Sequence, residues 1–198
     1  SLLIIVLSVM NGFDKEMRER ILSLVPHITV YSASSIIDQA GDLARIRSHP
    51  AVEEVTPFAQ FDALVTRGTD IETVHGIGLD TKEEGAFAAM VSYLNTEQAD
   101  HFRQQRDGLI LGVGVARNLG VQVGDRLNLI VPGTGQDGRM GPTRFETVQL
   151  SAILDTGTEL DQSISLVHLM LASDLAGLRG QVSGFRVSTN RLFEVKRI

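Results

Sequence analysis

The sequence predicts an α+β fold in which a β-rich subdomain is inserted into a β-α-β unit. Three observations carry this. Residues 27–57 alternate strand, helix and strand patterns. Residues 58–180 are then dominated by strand patterns separated by glycine-marked turns. A further strand at 181–189 runs into "NRLFEVKRI", the opening turns of a helix, so a second α/β unit begins where the insertion ends.

The chain opens on "SLLIIVLSVMNGFDKEMRERILSLVPH". Leu2, Val6, Val9, Phe13, Met17, Ile21 and Leu24 recur at helical spacing, and the stripe passes Asn11-Gly12 without a phase break. Residues 1–10 are apolar on every side, whereas Asp14, Lys15, Glu16, Arg18, Glu19 and Arg20 supply a polar face. Two readings stand for residues 1–25: the end of a membrane-spanning helix with its water-exposed extension, or a core helix of a soluble domain. Residues 1–10 are too few to cross a bilayer alone, which takes ~20 apolar residues, and a signal peptide fits badly. The helix is expected to stop before Pro26. With the unfinished helix at the other end, this suggests a segment of a larger protein.

"HITVYSA" (27–33) reads as a strand and 35–50 as an amphipathic helix ended by Pro50, with Ile36, Ile37, Ala40, Leu43, Ala44 and Ile46 inward. Residues 52–68 read as extended structure broken at Pro57, and 71–80 as the returning strand of a hairpin turning at Arg67–Asp70. Residues 81–94 are helical or partly so, weakened by Gly85. In "DGLILGVGVARNLGVQVGDRLNLIVPG" (107–133), a strand at 108–112 leads into a short helix at 113–119. Gly120 ends that helix, Gly124-Asp125 turns, and strand 126–131 follows. A glycine-rich loop (133–144) then joins two strands. Strands at 145–154 and 163–171 and a helix at 172–178 complete the insertion.

Composition narrows the chemistry. The chain has 198 residues, 43% apolar and 21% charged, enough for a sizeable core. A net charge of −6 without a basic block argues against nucleic acid as a partner. Cysteine is absent, which removes thiolate catalysis, disulfides and cysteine metal sites. "GVGVARNLG" places Gly112, Gly114 and Gly120 after a strand, but the third glycine is too late for a dinucleotide loop, and strand–helix packing with a cap at Gly120 explains the pattern. "GTGQDG" lacks the ending of a phosphate loop. Asp155, Glu159 and Asp161 do not match a calcium loop, so a solvated turn is expected. The "DTG" there has no second copy to form a carboxylate pair. The histidines at 27, 49, 75, 101 and 168 do not pair at zinc spacing, and no nucleophile elbow occurs. The chain is therefore expected to be non-catalytic, without metal or cofactor. The loop at 132–144 has stiffening prolines at Pro132 and Pro142 and an adaptable apolar Met140, which fits partner recognition as well as plain variability.

"LSVMNGFDKEMRERILSLVPH" resembles the segment after the first membrane helix of the lipoprotein-releasing-system transmembrane subunits, the LolC/LolE family. "LILGVGVARNLGVQVGDRLNLIVP" is similar to their middle segment and to the wider class of MacB-like periplasmic core domains. "AILDTGTELDQSISLVHLMLASDL" and "VSGFRV" resemble the end of the domain and look nearer to LolE. The resemblance implies a porter-type β-α-β part with an inserted β-rich subdomain: 26–57 with 181–198, and 58–180. It implies the periplasmic domain of an inner-membrane ABC transporter of Gram-negative bacteria that releases outer-membrane lipoproteins to the carrier LolA. The expected partners are a second LolC/LolE-type membrane subunit, a separate ATPase subunit LolD, the lipoprotein and LolA. It further implies a lipoprotein cavity bordered by Val9, Met10, Phe13 and Met17. A LolA-gripping loop would carry Pro132, Arg139, Met140, Gly141, Pro142 and Arg144, of which "RMGPTR" is the similar part. A related MacB or permease-type exporter with a different substrate is the alternative.

Overall fold

The computed structural model describes residues 28–31, 39–50, 52–82, 84–134 and 140–189. Strand β1 (Ile28–Tyr31) is followed by helix α1 (Gln39–Arg47) and by β2 (Val52–Arg67). β2 turns back as β3 (Asp70–Leu79), and helices α2 (Glu84–Val91) and α3 (Thr96–Gln104) follow. Then come β4 (Gly108–Gly112), α4 (Val113–Leu119), β5 (Arg126–Thr134) and β6 (Met140–Leu154). A 3₁₀ turn (Glu159–Gln162), β7 (Ile164–His168), α5 (Leu169–Ala176) and β8 (Gly184–Thr189) complete the described chain.

The strands run in the order β1-β8-β2-β3-β7-β4-β6-β5, and β5 pairs back onto β2. From Ala59 onward β2 is thus part of a closed barrel, whose strands have no free edge where the ladder closes. Before Ala59 it pairs with β8, which also pairs antiparallel with β1. β1 and β2 are therefore parallel with β8 between them, a split β-α-β unit with α1 as its crossover. The fold is α+β, with a barrel core flanked by helices.

β4, "LILG" after Gly108, is buried along its whole length, and the alternation of a strand divides its side chains. Leu109 and Leu111 join the barrel interior with Ala63, Val65, Leu127, Leu129 and Leu150. Ile110 joins a second layer, with Leu154 and Leu166, under Phe87 of α2 and Phe102 of α3. β6 serves both layers because its register with β4 shifts between the Leu109–Leu150 and Ile110–Ala152 pairs. Ser151 is the extra residue. It is fully buried, and its hydroxyl donates to Gln105 Oε1 at 2.9 Å. The bulge reverses which side chains face inward: Val148 and Leu150 face the interior, Ala152 and Leu154 the helices. Helices α4 and α5 add Val115, Ala116, Leu119, Ala172 and Leu175 to the interior cluster.

Several expectations need correction. β2 runs unbroken through Pro57, which pairs with Phe185. In this stretch β8 is the one strand neighbour of β2 among the described residues, so a missing N–H on the outer side removes no rung there. In α1, Leu43 and Ile46 pack on the small sheet, but Ala44 is exposed. The helix stops at Arg47, before the residue that Pro50 disfavours, and Ser48 Oγ donates to Arg45 O at 2.7 Å. β7 ends at His168, and "LMLASDLA" is helical three residues earlier than expected. A short apolar run does not distinguish strand from helix, and Ala172 and Leu175 find the barrel interior only as a helix.

Helix α3 was not anticipated. Its start is marked by Asn95, whose Oδ1 accepts from Gln98 N at 2.8 Å, with Glu97 in the first turn. Asn95→Ala is expected to cost about 1 kcal/mol of unfolding free energy in urea titration. Unchanged stability would mean that packing alone holds α3.

Candidate functional site

The expected loop at 132–144 is instead mostly a two-stranded ribbon. β5 continues to Thr134 and β6 begins at Met140, with Gly133 opposite Gly141 and Thr134 opposite Met140. β2 pairs with β5 only over Asn128–Ile130, and β4 pairs with β6 only from Gln149. The ribbon beyond those residues has only itself for a ladder partner among the described residues. Its prolines fit because the register shifts between Val131 and Gly133, and such an irregularity leaves positions that need no N–H. Gly133 is required for closeness: a Cβ there would overlap the backbone of Gly141 and Pro142.

The expected contact residues separate. Pro132 and Pro142 are exposed and Gly141 is half-buried. Met140 lies on β6, and Arg139 falls outside the described residues. Arg144 is turned inward: its Nη1 donates to Leu175 O at 3.3 Å, at the C-terminal end of α5. A cation there satisfies a terminal carbonyl and suits the helix dipole. The guanidinium also lies where a Cβ on Gly177 would sit, and Gly177 takes a left-handed φ of 74°. Arg144 anchors the ribbon's base to α5.

Phe145 was missed by sequence reading. It is 67% exposed and stands opposite Ile130, which in turn stands opposite Leu64. The three form an apolar row on the barrel's outer face that runs to the base of the ribbon. The alternation of "RFETV" could have placed Phe145 opposite in direction to the inward Val148.

The remaining candidates are structural. Gly112 and Gly114 permit close packing of α4, because Cβ atoms there would overlap Asp161 and Gln162. Gly120, at φ 60°, ends α4 with its N–H donating to Arg117 O at 3.1 Å. The turn at 155–161 is not uniformly solvated, as Asp161 is 3% exposed. Its carboxylate accepts from Thr156 N, Thr156 Oγ1 and Gly157 N at 2.8–3.1 Å. His168 stacks on Phe102, and its Nε2 lies 2.7 Å from Phe102 O. His75 pairs with Asp62 on the barrel surface, at 2.5 Å. Among the described residues no cluster of metal-ligating side chains occurs, and no helix is long and apolar enough to cross a membrane. Val9, Met10, Phe13 and Met17 lie outside the described residues, as does the helix expected over 1–25.

A family model described as the MacB-like periplasmic core domain matches residues 1–186. The chain belongs to this family. Among curated proteins it is 28% identical to the lipoprotein-releasing system transmembrane protein LolE of Haemophilus influenzae, over all of this chain and 49% of that protein. It is 30% identical to LolC of Neisseria meningitidis serogroup B, over 93% of this chain and 45% of that protein. The chain thus spans about half the length of the curated relatives it matches. The extracellular domain of the noncanonic ABC-type transporter YknZ from Gram-positive bacteria shares the fold, with a TM-score of 0.51 and 14% identity. That match covers 85% of this chain and 77% of the other. As a MacB-like periplasmic core domain, the chain is of a kind with non-catalytic transporter parts.

Proposed function

We propose that this MacB-like core domain is the periplasmic part of an inner-membrane ABC-transporter subunit of the LolC/LolE type. In this reading it acts in the release of outer-membrane lipoproteins in a Gram-negative bacterium. The observation that carries it is the similarity to LolE and LolC over nearly the whole chain. The segments at 152–175 and 182–187 favour LolE. The domain performs no chemistry in this reading. A separate LolD-type subunit hydrolyses ATP in the cytoplasm, and a second membrane subunit pairs with this one. Residues 26–57 and 181–198 are the porter-like part, 58–180 the inserted part, and 1–25 the end of a membrane helix with its extension. Val9, Met10, Phe13 and Met17 would then border the lipoprotein, because acyl chains need an apolar, adaptable wall.

The ribbon is the proposed contact with LolA. A rigid barrel presents it, and Pro132, Pro142 and Phe145 are exposed on it. Of the expected grip, Arg139, Met140, Gly141 and Pro142 remain the candidates, while Arg144 holds the ribbon in place. The full-length subunit, reconstituted with its partners in proteoliposomes, should release an acylated lipoprotein to LolA when ATP is added. No release would overturn the reading. Met140→Ala and Pro142→Ala should each weaken LolA capture roughly tenfold, the ~1.4 kcal/mol scale of an interface residue. Equal capture by both variants and the parent would remove the ribbon from the contact.

A second reading, a MacB or permease-type exporter with another substrate, is favoured by the fold shared with the YknZ domain. Photocrosslinking from residues 10 and 13 separates the two: acylated lipoprotein is captured only in the first.

A further inference from the structure

The small sheet and the barrel are joined where two chain segments cross between them. One is β2 itself, which changes partners between Phe58 and Ala59. The other is the return segment from α5 to β8. Two crossings of this kind could form a hinge. Three features of the joint work against one.

First, the two crossings are bonded to each other. Ser183 N donates to Phe58 O at 2.8 Å, and Gln60 N donates to Ser183 Oγ at 3.0 Å. The β2–β8 ladder ends at the Phe58–Gly184 pair, and the serine hydroxyl continues it by one more bond. Second, the return segment is fastened to α5. Ser173 Oγ donates to Gln181 O at 2.7 Å and accepts from Gly180 N at 2.9 Å, and Leu178 N donates to Ser173 O at 2.8 Å. These bonds hold a stretch in which Gly177, Arg179 and Gly180 all take left-handed φ. Third, Leu169 of α5 packs against both the barrel interior and the small-sheet core. Phe58, at the crossing, is 1% exposed and lies under the Arg186 guanidinium, 4.9 Å from its ring centroid. Bending the joint would break these hydrogen bonds together and pull Leu169 out of one core.

We infer that Ser183 pins the joint rigid, so that the small sheet and the barrel move as one body. The inference stands on the joint alone and holds whether or not the transport reading does. The chain has no cysteine, which makes site-directed spin labelling direct. Glu53→Cys in the small sheet and Arg126→Cys in the barrel put labels on exposed positions. Pulsed dipolar spectroscopy should give one narrow distance distribution. A broad or two-peaked distribution in the otherwise unchanged protein would overturn the inference, whatever any variant does.

Ser183→Ala removes the hydroxyl and keeps the backbone. It should broaden the distribution and speed amide exchange at Gln60 roughly fivefold to tenfold, as loss of one hydrogen bond implies. Ser183→Thr should restore both. Thr147→Val, which removes the Thr147–Asn128 bond (3.0 Å) on the barrel surface, should leave the distribution unchanged. An unaltered width in Ser183→Ala would mean that serine is not the pin, and would overturn the assignment.

Discussion

Phe102→Ala is expected to lower the unfolding free energy by about 4 kcal/mol, near the top of what a single core truncation costs. Phe102 is fully buried between two other rings: Phe87 at 5.8 Å and His168 at 4.5 Å between centroids, both stacked. With Ala99 it holds α3 to the outer face of β4, β6 and β7. Its loss leaves a cavity that neighbours on the barrel wall cannot fill, since Ile110, Leu154 and Leu166 are fixed by their strands. His168 also loses the ring it stacks on while its bond to the backbone of residue 102 persists. Urea titration followed by circular dichroism measures the loss. A decrease below about 1.5 kcal/mol would mean that α3 contributes little to the core.

Asp161→Ala should cost about 2 kcal/mol, because it takes the acceptor from two backbone N–H groups and from the Thr156 hydroxyl in a half-buried turn. The turn around Asp161 is where α4 meets the end of β6. Gly112 lies so close to the backbone of Asp161 that a Cβ could not fit between them. Disordering the turn therefore loosens α4 as well. Limited proteolysis should cut within 155–163 in the variant and spare the parent. Asp161→Asn keeps an acceptor oxygen and should lose about half as much. Equal resistance in all three proteins would show that the carboxylate is dispensable.

Much of the fold was legible because it is written locally. Gly68 between Arg67 and Asp70 announced the β2–β3 hairpin, and that glycine does take a left-handed φ of 60°. The strand–helix–turn–strand series over 108–131 appears as read, since Gly120 and Gly124 carry the conformations their positions demanded. What was not legible is non-local. Pro57 reads as a break unless one knows that β2 pairs there with β8 on one side, and with no strand of the described residues on the other. Asp161 reads as a surface acid unless Thr156 and Gly157 are known to fold back upon it. Helix α3 is the exception, for Asn95 and Gln98 stand at capping distance in the sequence itself.

The candidate contact region divides the same way. Proline and glycine at 132–142 pointed to an unusual connection but did not reveal how far the strands continue. Arg144 has the chemistry of a gripping residue, and only the position of α5 shows that its hydrogen bond is spent inside the molecule. Phe145 was passed over because one aromatic in an alternating strand gives no sign of which face is covered.

β1 finds its ladder partner in β8, at the far end of the described chain. A polypeptide emerging from its N-terminal side must therefore carry β1 unpaired until β8, more than 150 residues on, has been made. The barrel has its own hairpins and can begin to close first; the little sheet must come last, as a clasp fastened at the end. Contacts so distant in sequence slow folding and leave a sticky strand open meanwhile. A helper that covers nascent β-strands should therefore matter to the folding of this domain.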